Sequence, residues 1–168
     1  MKRALMFTVG LALGLGSFGV GATTRQSVQL CTWGGTPDAP TGVVTLERGL
    51  TLTPSESDSS FVAAGPLEGD GPCTGTMTFD GIVRQGSTCA HAWFEGRVKG
   101  LRGVARFEGP GLFSAVHEFL YDRHGNIVGA DQPLLQVPQP EGYSHAQDCA
   151  TSEGFTRAVF SATVELFE

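Results

Sequence analysis

Charge is scarce in this sequence: 17% of its residues are Asp, Glu, Lys or Arg, and lysine occurs twice. No basic run occurs, and a formal net charge of −6 is repelled by phosphate backbones and by anionic lipid headgroups. Nucleic acid and charged membrane surfaces are therefore poor partners. Helix-period patterning is nearly absent, which argues against a helical bundle. The standard catalytic signatures are missing as well. There is no C-x-x-C pair, no G-x-S-x-G elbow and no P-loop. His117-Glu118-Phe119-Leu120-Tyr121 begins like H-E-x-x-H but ends on tyrosine, so the second zinc ligand is lacking. Gly14-Leu15-Gly16-Ser17-Phe18-Gly19 fits G-x-G-x-x-G, yet no strand precedes it and no helix follows. The single asparagine, Asn126, precedes Ile127-Val128 and forms no glycosylation sequon. No metal and no cofactor is expected.

What is present suits one β domain. The chain has 168 residues, 40% of them apolar, with 24 glycines and 9 prolines, too apolar for disorder and rich in turns. Met1-Lys2-Arg3, the apolar run Ala4 to Val20 and the small-x-small Val20-Gly21-Ala22 read as a signal peptide at 1–22, cleaved after Ala22. Gly10, Gly14, Gly16, Ser17 and Gly19 weaken the alternative of a stable membrane anchor. Cys31 follows Val28-Gln29-Leu30 rather than the small residues of a lipidation site. Residues 23–168 then form a single exported domain, secreted or periplasmic, and loss of Lys2 and Arg3 makes it more acidic still, at −8.

Four cysteines, Cys31, Cys73, Cys89 and Cys149, survive leader removal and predict two disulfides, as expected in an oxidising compartment. If Gln85-Gly86 is a turn, Cys73 and Cys89 lie at opposite ends of a hairpin, so each pairs with Cys31 or Cys149. If Asp80-Gly81 is the turn, they face each other. The first arrangement is favoured.

Period-two alternation is clearest in four places: Met77 and Phe79; Ala90, Ala92, Phe94, Gly96 and Val98; Gly103, Ala105, Phe107 and Gly109; and Ala158 to Leu166. Shorter candidate strands cover 27–33, 42–47 and 50–54, while the polar tract 54–60 reads as a surface loop. Residues 114–121 are ambiguous, and 138–156 read as irregular. Phe79-Asp80-Gly81, Phe94-Glu95-Gly96 and Phe107-Glu108-Gly109 repeat an aromatic-acid-glycine triplet at meander spacing. Each places a phenylalanine inward and a glycine where strands bend or approach closely. Turns are expected at 85–87, 100–103 and 122–126. The fold class predicted is all-β: an eight-stranded antiparallel barrel or barrel-like meander, with a two-sheet sandwich as the alternative.

The histidines carry what catalytic possibility there is. His91, Trp93, Glu95 and Arg97 share a strand face, which is simply the wet face if the apolar set points inward. With the apolar set outward they would line a polar pocket, His91 and Glu95 acting as acid/base groups and Trp93 and Arg97 contacting ligand. His117, beside Glu118, is a third acid/base candidate, although neighbouring strand residues face opposite sides. His124 falls in a turn and His145 in the irregular stretch, where solvated side chains are ordinary.

Cys31-Thr32-Trp33-Gly34-Gly35-Thr36-Pro37, Cys73-Thr74-Gly75-Thr76-Met77, Phe94 to Gly100 and the ending Val164-Glu165-Leu166-Phe167 resemble small uncharacterised secreted bacterial proteins of GC-rich genomes. That resemblance implies export and a β domain and brings no site residue. The expected function is an exported non-enzymatic binding or structural protein. Its alternatives are a small secreted enzyme or a small-molecule carrier with its pocket inside the barrel. A module docking on a cell-surface partner would instead show an exposed apolar patch around Trp33 or Trp93.

Overall fold

A computed structural model describes residues 27–112, 115–134 and 147–167. The leader at 1–22, His145 and the first part of the irregular stretch lie outside them. The strands are β1 (Val28–Trp33), β2 (Gly35–Thr36), β3 (Ala39–Pro40), β4 (Gly42–Leu50), β5 (Ser59–Gly69) and β6 (Gly75–Val83). They continue as β7 (His91–Lys99), β8 (Arg106–Leu112), β9 (Ala115–Val116), β10 (Glu118–Tyr121), β11 (Ile127–Leu134) and β12 (Phe155–Phe167). No helix among the described residues is long and apolar enough to cross a membrane.

The sheet closes on itself in the order β12, β4, β5, β6, β7, β8, β10, β11 and back to β12, every pairing antiparallel. This is the eight-stranded barrel, not the sandwich. β1 and β4 share one position in its wall. Along β12, Ala162 pairs with Trp33 and Phe160 with Gly42, so the two strands run end to end. The small β2–β3 hairpin between them leaves the wall, and Gly34 closes its base: its N–H donates to Pro66 O at 2.8 Å and its O accepts from Thr41 N–H at 2.6 Å.

Alternation fixes what points inward. Phe61, Ala63 and Leu67 on β5, Met77 and Phe79 on β6, and Ala158, Phe160, Ala162, Val164 and Leu166 on β12 are buried in one core. The glycines of the repeated triplet let neighbouring strands close up. Gly81 pairs with Gly96, and a Cβ on either would collide with backbone of the facing strand. The Gln85-Gly86 turn forms, with Gly86 at φ +84°, and the disulfides join Cys31 to Cys73 and Cys89 to Cys149, one at each end of the barrel. Residues 51–58 are a loop rather than the strand expected at 50–54, since β4 stops at Leu50. The described part of the ambiguous 114–121 segment is strand.

Trp33 fills the middle of the barrel instead of lying on an outer patch. It is fully buried, its Nε1–H donates to Met77 O at 2.9 Å, and its ring packs on Phe79 and Phe160 at 5.7 and 4.9 Å. Gly42 makes this fit, because a Cβ there would lie 2.5 Å from the indole. Toward the Cys31–Cys73 end the core is formed by the buried apolar residues Leu67, Met77, Val98, Leu101, Val104 and Val164. The half on the other side of Trp33 is built differently.

Candidate functional site

That second half takes its character from the β10–β11 hairpin. Asp122 organises its turn: Oδ1 accepts from the N–H groups of His124 and Asn126 at 2.8 and 2.9 Å, and Oδ2 from Asn126 Nδ2 at 2.9 Å. These bonds favour the ionised form and hold the Asp122 carboxyl below its usual range. Leaving the turn, Tyr121 pairs with Ile127 but Leu120 pairs with Gly129, so Val128 is one residue too many and forms a bulge. Beyond it, Glu118 pairs with Asp131. Both side chains are buried, at 6% and 2% exposure, on the lumenal face.

The two carboxyls line a cavity of about 70 Å³ together with Phe61, Phe79, Phe94, Phe155 and Phe160 and the aliphatic Val44, Leu46, Ala63 and Ala158. Phe79 and Phe160 are its floor, resting on Trp33. Phe94 reaches in over Gly111, where any side chain would displace its ring. Phe94 and Phe155 are partly exposed and mark the mouth. Among the described residues lining it, none is basic. The Glu118 carboxyl makes no hydrogen bond within the described residues. Burial pushes it well above the ordinary carboxylate range, and the Asp131 charge opposite raises it further.

The residues singled out from sequence lie elsewhere. The apolar set of β7 points inward, so His91, Trp93, Glu95 and Arg97 are on the outer surface. Glu95 accepts both Nε and Nη2 of Arg84, at 3.0 and 2.6 Å, and Arg97 reaches Asp80 at 3.5 Å. Exposed pairs of this kind add about 0–1 kcal/mol each. His117 is exposed against the ring of Phe119, facing away from its neighbour Glu118. His124 is exposed in the β10–β11 turn. None of them is brought into the lumen. The group that sequence reasoning misses is Asp131, and Glu118 enters it only as a partner of His117.

A second concavity of about 250 Å³ lies outside the barrel, along the 51–57 loop, where Arg48 already donates to Ser57 Oγ at 2.6 Å. The described residues contain no group of three or more His, Cys, Asp or Glu able to hold a metal. The lumenal pair can instead share a proton, accept hydrogen bonds from a ligand and neutralise a single positive charge. Comparison with protein families, with curated proteins and with solved structures finds no match to this chain, so no residue role comes to it by likeness.

Proposed function

We propose that this chain is an exported, non-enzymatic binding protein that carries a small molecule in the unfilled half of its barrel. The observation that supports this most is the lining of one half of the lumen. Around and below Trp33 the described core is apolar, whereas above it two carboxyls face a cavity. A purely structural barrel gains nothing from that arrangement, because burying an ionised carboxyl costs several kcal/mol and an apolar filling would be more stable. A cavity of about 70 Å³ is roughly half the 150 Å³ that accommodates benzene. The occupant is then compact, or enters head first and leaves its remainder in the mouth. Two disulfides and the basic-apolar start of the chain are in keeping with export.

Native mass spectrometry of the exported protein from its own host, read intact and then denatured, tests the reading. A reproducible small-molecule increment in the native mass is expected. Equal masses, with the cavity filled only by water, would reject the carrier.

One feature favours a second reading, an enzyme working in the lumen. Two facing carboxyls, one of them raised by burial and by the charge of the other, are the elements of an acid/base pair. Conversion of the bound molecule with time, abolished in Asp131→Asn although binding persists, would establish it.

A further inference from the structure

Given a lumen that binds a small molecule, the class of that molecule can be narrowed from the residues that line it. We infer that the ligand's polar end is an organic ammonium ion, seated between Glu118 and Asp131 with its alkyl part against the phenylalanine walls.

Four observations lead there. Glu118 and Asp131 are cross-strand partners, so two ionised carboxylates would repel at close range and the pair holds one proton and one charge. Glu118 is more than nine-tenths buried, aims into the cavity and makes no hydrogen bond within the described residues, which leaves its carboxyl available to a donor. Among the described residues the remaining lining is apolar or aromatic and includes no basic side chain, so these walls give an anion only repulsion and desolvation. A hard metal ion asks for six or more oxygens, and this wall offers two carboxyls.

Alkylammonium meets all of these conditions. Its N–H groups can donate to the Glu118 carboxyl and to a remaining lone pair of Asp131, its charge complements an acidic pair, and its carbon chain and charge both suit the faces of phenylalanine rings. The acidity of the whole chain draws cations toward the mouth. The cavity volume sets a short chain as the part that is enclosed, longer ones passing out between Phe94 and Phe155.

The test uses the leaderless protein with both disulfides formed. Propylammonium chloride and 1-propanol are titrated calorimetrically at equal ionic strength, sodium chloride serving as the blank. Propylammonium is expected to bind at least about tenfold more tightly than 1-propanol. Asp131→Asn should remove that preference without weakening 1-propanol. Asp131→Ser is the second variant should Asp131→Asn fail to fold, and it should remove the preference as well, whereas Glu118→Gln, isosteric with the protonated acid, should keep it. Equal or tighter binding of 1-propanol overturns the ammonium assignment and keeps the lumen as a binding site. Binding of neither overturns both.

Discussion

Asp131 faces the lumen opposite Glu118 because of a single extra residue, Val128. From the Tyr121–Ile127 pair a regular hairpin would set Leu120 against Val128 and Glu118 against Ala130, turning Asp131 to the outside. The bulge sets Leu120 against Gly129 instead, and every later residue of β11 changes face. The acid pair is thus a product of register, made within one hairpin and delivered to the apolar half of the barrel.

Glu118 makes stability depend on pH in a direction opposite to most carboxylates. Its folded value is raised above the unfolded one by burial and by Asp131, the one titratable group facing it among the described residues of the cavity lining. The protonated form is favoured in the folded state, so its contribution is complete below the ordinary carboxylate range and fades as pH rises through the folded value. Glu118→Gln should flatten this slope and stabilise the protein at mildly alkaline pH by about 1–3 kcal/mol. Thermal melts followed by circular dichroism at pH values stepped upward from the ordinary carboxylate range would show it; parallel curves for variant and parent would sink the assignment.

Trp33→Ala should be among the most damaging substitutions, at about 3–5 kcal/mol, because it empties the centre of the barrel and strips Met77 O of its donor. It also removes the floor under Phe79 and Phe160. Urea unfolding gives the loss. If the variant still folds, it should accept a bulkier lumenal ligand than the parent.

Gly81→Ala and Gly86→Ala separate close packing from backbone conformation. A Cβ at Gly81 runs into the Glu95 carbonyl across the strand pair, whereas Gly86 has open space around it and a left-handed φ of +84°. The first should cost about 2 kcal/mol or more and disturb β6–β7 pairing; the second should cost about 1–2 kcal/mol locally. Amide exchange of β7 distinguishes them, since only the first change should loosen it.

Removing either disulfide as a Cys→Ala pair, Cys31 with Cys73 or Cys89 with Cys149, should lower stability by about 2–4 kcal/mol. The two losses should be nearly additive, because the bridges clamp opposite ends of the barrel. Peptide mapping under non-reducing conditions checks the pairing directly, and a Cys73–Cys89 peptide would contradict it.

His91→Ala and Glu95→Ala should leave the fold and lumenal binding unchanged, within about 0.5 kcal/mol for His91 and 1 kcal/mol for Glu95, which loses the Arg84 pair. A large effect of either on ligand affinity would argue for a second site on the outer wall.

The barrel is legible in the sequence because its signals are local. Alternation in β7 and β12, the Gln85-Gly86 turn and the aromatic-acid-glycine triplets each report on one strand or one contact, and they agree. The turn at Gln85-Gly86 also separates Cys73 from Cys89. The site is not legible in the same way. Counting outward from the 122–126 turn assigns Asp131 to solvent, and nothing in Gly129-Ala130-Asp131 announces the bulge that reverses it. Histidines titrate near neutrality, which makes them the natural first candidates for acid/base work, yet His91, His117 and His124 all lie in water. An acid two residues beyond Gly129, directly after the apolar or small run Ile127 to Ala130, is the signal that could have found the site.

The wall position shared by β1 and β4 has an architectural outcome. β1 is stitched to the last strand, with Val28 beside Phe167, at the packed end where Cys31 bridges Cys73. Residues 28 and 167 therefore leave the barrel from its blind side. Tethered to a bead, a chip or a fused carrier through either one, the domain would stand with its mouth toward the solution, free to load and unload.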